Sequence, residues 1–91
     1  MAEHTEDVQH KIAELRVQID EVDCRIVKLI NQRAELALAI RELKPKVNLG
    51  LYDPKREEEI FTRLSACNGG PLYDDNLREI YEAILHVMKE L

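Results

Sequence analysis

Two cations stand out in this chain by where they sit. Arg33 interrupts an otherwise unbroken stripe of apolar residues, and Lys44 follows eleven positions later, directly before Pro45. At ~100° and ~1.5 Å per helical residue, that spacing puts both on one face, about 20° apart in phase and roughly 16 Å apart along the axis. A guanidinium in an apolar stripe is costly unless anions surround it. Two long side chains closing on that gap from either end suit the capture of one small anion. Each also has a plainer reading. Arg33 can be a register-fixing polar residue paired with a glutamate, and Lys44 a helix-terminal lysine favoured by the dipole.

Arg16 lies seventeen positions before Arg33, about 25 Å away and ~100° around the same helix, so it cannot serve the same pocket within one straight chain. Alone it reads as a solvated surface arginine. If two copies pack antiparallel along the stripe, Arg16 of one is carried toward the Arg33-to-Lys44 half of the other, and a symmetric dimer then has two equivalent cationic pockets. Arg56 and Glu57 read, from composition, as an exposed charged turn. His4, His10 and His86 show no metal spacing and receive no role; Tyr52, Tyr73 and Tyr81 read as packing residues.

The element that must position the cations is the apolar stripe itself. Val8, Ile12, Leu15, Ile19, Val22, Ile26, Leu29, Arg33, Leu36, Ile40 and Leu43 follow one another in alternating steps of four and three, a heptad seam. No Gly or Pro interrupts it, so the spacing predicts one helix of roughly 39 residues and about 58 Å, longer than a compact domain of this size is wide. Such a helix needs a partner. Thr5 is expected as its cap, with Glu6 and Asp7 in the first turn, and Pro45 is expected to stop it at Leu43 or Lys44, with Asn48, Leu49 and Gly50 continuing as a loop. Asp53-Pro54 then restarts a helix over about 54–66, with Ile60, Phe61, Leu64 and Cys67 as its stripe. Asn68-Gly69-Gly70-Pro71 is a strong stop. Asp74 or Asp75 caps a third helix running to Leu91, with Leu77, Ile80, Tyr81, Ile84, Leu85 and Met88 on one face. No segment alternates with period two. The fold expected is all-α, with one long, one short and one medium helix in a single domain over residues 1–91.

Composition narrows the function. At 91 residues the chain has a limited capacity to bury its own apolar surface, so oligomerisation is plausible from size alone. A net charge of −5 argues against nucleic acid or an anionic membrane as partner, and any anion must be met by a local pocket. Cys24 and Cys67 lie far apart without a CxxC and read as reduced thiols. The opening MAEHTEDVQHK has no apolar core for a signal peptide, and no apolar run approaches the ~20 residues of a membrane span, so a cytoplasmic protein is expected.

Taken together, Leu15-Arg16, Ile19-Asp20, Val22-Asp23, Ile26, Leu29-Ile30, Arg33, Leu36-Ala37, Ile40 and Lys44, then Tyr52-Asp53-Pro54-x-Arg56-Glu57, then Asn68-x-Gly70-Pro71-Leu72 and Ile80-Tyr81, resemble the all-helical chorismate mutases over nearly the whole chain after Glu6. The resemblance implies a three-helix chain that interlocks as a homodimer through its long first helix. It also implies conversion of chorismate to prephenate, in phenylalanine and tyrosine biosynthesis, without cofactor or covalent intermediate. Position by position, Arg16 (from the neighbouring subunit) and Arg33 match the arginines that grip the substrate carboxylates. Lys44 matches the lysine that bonds the ether oxygen of the breaking bond, and Arg56 lines the same pocket. Asp53 and Glu57 match carboxylates that receive the ring hydroxyl or support the cations. The physics agrees, since a dicarboxylate asks for fixed arginine forks, and a lysine in a dry pocket stabilises charge developing on the ether oxygen.

The chain departs from that pattern on its third helix. Met88 occupies the place where the family usually has a serine, and the next position of the motif, a glutamine or glutamate, falls just past Leu91. Reduced turnover is therefore expected. The alternative is a ligand-sensing regulatory module of a larger shikimate-pathway enzyme. A lyase acting on isochorismate on the same scaffold and a plain helical adaptor are the remaining readings, and the adaptor leaves Arg33 and Lys44 unexplained.

Overall fold

The structure, a computed structural model, describes residues 4–47, Gly50 and residues 53–91. Tyr52 and the expected loop at Asn48 and Leu49 lie outside the described residues. The described residues form three α-helices and one 3-10 turn: α1 (Thr5–Leu43), the turn (Lys44–Val47), α2 (Pro54–Cys67) and α3 (Asp74–Lys89). The all-α expectation holds. α1 is 39 residues long and ends at Leu43, as the uninterrupted seam and Pro45 dictate. Pro45 has no N–H to donate to a preceding carbonyl, so the α ladder stops, while its fixed φ still fits the 3-10 turn that follows.

Several helix ends differ from expectation by a residue or two. Thr5 is the first helical residue rather than the cap: the His4 carbonyl accepts the first helical bond, from Val8 N–H at 3.1 Å. At α3 the cap position belongs to Tyr73, which makes no side-chain capping bond and is 78 % exposed rather than packed. Asp74 sits one place inside because its carboxylate is engaged elsewhere, accepting from Asn68 Nδ2 at 2.7 Å. A short polar side chain with a better local partner does not cap. α3 stops at Lys89, not Leu91, and Cys67 is exposed instead of joining the stripe of α2.

The structure divides into two compact units, one through Glu35 and the other from Leu36 onward. The first is a single helical segment. All seven of its seam residues, Val8, Ile12, Leu15, Ile19, Val22, Ile26 and Leu29, are exposed, by 38 to 63 %. The second unit contains the end of α1, the 3-10 turn, α2 and α3. Ile60, Phe61 and Leu64 of α2 and Leu77, Tyr81, Ile84 and Met88 of α3 are half-buried, and Leu85 is buried. Those α3 residues follow i, i+4, i+7, i+8, i+11, a helix face turned inward; Ile80, expected on the same face, is exposed. Arg78 closes one edge by lying 4.1 Å over the Phe61 ring while donating to Glu82.

Asn68 organises the link between α2 and α3. Its Nδ2 donates to the Leu72 carbonyl at 2.9 Å and to Asp74 Oδ1, and its Oδ1 accepts from Gly70 N–H at 3.1 Å. Gly70 has φ +80°, in the left-handed region, so a side chain there would be strained.

Candidate functional site

Lys44, Asp53, Arg56, Glu57 and Met88 belong to the second unit. Lys44 is the first residue of the 3-10 turn and is half-buried. Asp53 caps α2: its Oδ1 accepts from the Arg56 backbone N–H at 3.0 Å, with Pro54 at the first helical position, where a missing amide hydrogen is harmless. That cap fixes the backbone from which the Arg56 and Glu57 side chains project. The Arg56 guanidinium is exposed and lies 3.7 Å from Glu59 Oε2, a loose pair one turn along the helix. Glu57 points elsewhere. Its Oε1 is 2.6 Å from Lys89 Nζ, so the first turn of α2 is tied to the last turn of α3. Met88, the neighbour of Lys89, is half-buried on the same turn.

Arg41 and Lys89, which sequence patterning does not single out, complete this corner. Arg41 Nη2 donates to the Lys89 carbonyl at 2.9 Å, satisfying one of the orphan acceptors at the end of α3. Arg41 precedes Lys44 by one helical turn, the only hint of its role in the sequence.

In the first unit, Arg16 is exposed and Arg33 is half-buried. Neither Arg33 nor Lys44 has a side-chain hydrogen bond or ion pair among the described residues. For Arg33, no glutamate among the described residues of this chain serves as its partner. A half-buried cation without an anion is incompletely compensated. Within the second unit the arrangement offers an ammonium unpaired among the described residues, a capped and fixed helix start, and a half-buried carboxylate held by a lysine. Those groups can bind an anion that also carries a hydroxyl, and can stabilise negative charge as it develops. Among the described residues no helix is long and apolar enough to cross a membrane.

Comparison with known proteins identifies a family. Residues 15–91 match the family model described as chorismate mutase type II. The chain is 34% identical over 82 residues to the chorismate mutase of Methanocaldococcus jannaschii, covering 89% of this chain and 83% of that protein. It is 37% identical over 87 residues to the bifunctional chorismate mutase/prephenate dehydratase of Aquifex aeolicus. There it covers 89% of this chain but spans only 22% of the length of the relative. Among solved structures, form II of the chorismate mutase of Thermus thermophilus superposes with a TM-score of 0.86 at 36% identity, covering 89% of this chain and 92% of that one. Form I of the same protein gives 0.82. With the match extending from the seam of α1 to the last residue of the chain, this protein belongs to the chorismate mutase type II family.

Proposed function

We propose that the chain is a chorismate mutase that works as a homodimer of single-domain subunits, with two shared active sites. The observation that carries this reading is the pair of half-buried cations, Arg33 and Lys44, left without an anionic partner among the described residues. Chorismate is a dicarboxylate, and two carboxylates are what unpaired arginines recognise best, since a guanidinium fork binds each one bidentately. Holding both carboxylates folds the enolpyruvyl arm over the ring, so that the carbons to be joined face each other before reaction. As the ether C–O bond lengthens, negative charge collects on its oxygen. The Lys44 ammonium donates to that oxygen, and its effect is largest where water is excluded. Glu57 and Asp53 receive the ring hydroxyl or support the cations, and Arg56 lines the pocket. No proton abstraction or covalent bond to the protein enters the scheme.

A second copy supplies the missing half. The seven exposed seam residues each have about 1 kcal/mol to gain from being covered, so pairing along α1 is worth roughly 7 kcal/mol per copy, comparable with the whole stability of a small domain. Antiparallel pairing carries Arg16 of one copy to the pocket of the other. With no membrane-crossing helix among the described residues and a diffusible substrate, we assign the protein to the cytoplasm.

Following the loss of chorismate absorbance in the ultraviolet tests the reading. The expected result is saturable turnover above the buffer rate; no acceleration contradicts it. Met88 in place of a serine favours a second reading, a sensing module. That module would show no turnover, yet prephenate would raise its melting temperature.

A further inference from the structure

We propose that Lys89 is a positioning residue for Glu57: it holds one carboxylate oxygen so that the other is presented to the substrate hydroxyl. This rests on the chorismate mutase reading above and adds to it a residue that acts through Glu57. Ion pairs between two long exposed side chains are usually weak, because both must be ordered to meet. This pair differs at both roots. The Lys89 backbone is pinned by the Arg41 guanidinium on its carbonyl, so the lysine stem starts from a fixed point. Glu57 projects from a helix turn whose first residues are fixed by the Asp53 cap, and its side chain is 30 % exposed against 51 % for Lys89. The ammonium meets Oε1. An ionised carboxylate has acceptor capacity on both oxygens, which leaves Oε2 with room for a hydroxyl donor. Lys89 also adjoins Met88, so the same contact sets how the end of α3 lies against the start of α2.

The test is a kinetic cycle on the full chain with chorismate, using Lys89→Met, Lys89→Arg, Glu57→Gln and the Lys89→Met/Glu57→Gln double variant, with melting temperatures recorded beside it. Lys89→Met is expected to raise KM about threefold to fivefold, the range of a partly exposed ion pair, with kcat changed less than about twofold. Lys89→Arg should restore KM, and Lys89→Met should add nothing once Glu57 is already Gln. An unchanged KM for Lys89→Met, a lowered melting temperature as its only effect, or an equal KM loss in the Glu57→Gln background would overturn the proposal. Wild-type protein without turnover would sink the mutase reading and this proposal together. Wild-type turnover with Lys89→Met indistinguishable from it sinks this proposal alone.

Discussion

The two units solve opposite problems. From Leu36 onward, the chain makes its own interior: Leu85 is buried, faces of α2 and α3 meet, Asn68 ties the link between them, and Arg41 and Lys89 lock the end of α3. Among the described residues through Glu35 there is one helical segment, with its large apolar residues in the open. Most helical stability in proteins comes from packing of an apolar face, so a segment whose seam is exposed has much to gain from cover. The difference separates two jobs. One region builds a fixed carboxylate and a half-buried ammonium within a single chain; the other carries Arg16 and Arg33 on a helix with an exposed seam, which under our proposal a second copy covers.

Substitutions can break that contrast at either end. The largest effect is expected from Ile26→Asp, in the middle of the exposed seam. A carboxylate trapped at a helix pairing costs about 3–5 kcal/mol when it has no partner, so sedimentation should show a monomer and chorismate turnover should vanish. A dimer of unchanged affinity would show that the seam is not the contact. Arg33→Ala comes next. It should weaken prephenate binding by about a hundredfold, the loss expected when a charged partner of a carboxylate is removed, while the dimer remains folded or becomes more stable because a half-buried charge is gone. Collapse of the fold on circular dichroism would instead make Arg33 structural. The smallest effect is expected in the second unit. Asn68→Ala removes three hydrogen bonds from a link already held by its flanking helices and should cost about 1–2 kcal/mol, lowering Tm by about 5–10 °C with kcat/KM within about twofold of wild type. A large loss of activity there would mean that the two jobs are not separable.

Much of this was legible from residue spacing because its causes are local. The length of α1 follows from an unbroken seam and one proline, and the start of α2 from Asp53-Pro54, a cap that forms between residues three apart. Misreadings arose where a side chain had a choice of partners. Asp74 looks like a cap, but Asn68 claims its carboxylate, and Asn68 itself reads only as part of a stop. Arg41 and Lys89 were invisible for a different reason. Their contacts join positions 48 and 32 residues apart, and no periodicity encodes which helix end meets which. The proposed anion-binding residues stand out because Arg33 violates its own pattern, whereas Arg16 gains a proposed role only once a second copy is considered.

The most direct measurement is complementation between subunits. Arg16→Ala and Lys44→Ala proteins, each inactive alone, would be unfolded together, refolded as a mixture and assayed with chorismate. If each pocket takes Lys44 from one copy and Arg16 from the other, half of the dimers are mixed and each has one intact pocket, so the mixture should recover about a quarter of wild-type activity. A refolded mixture as inactive as its two components would contradict the shared site.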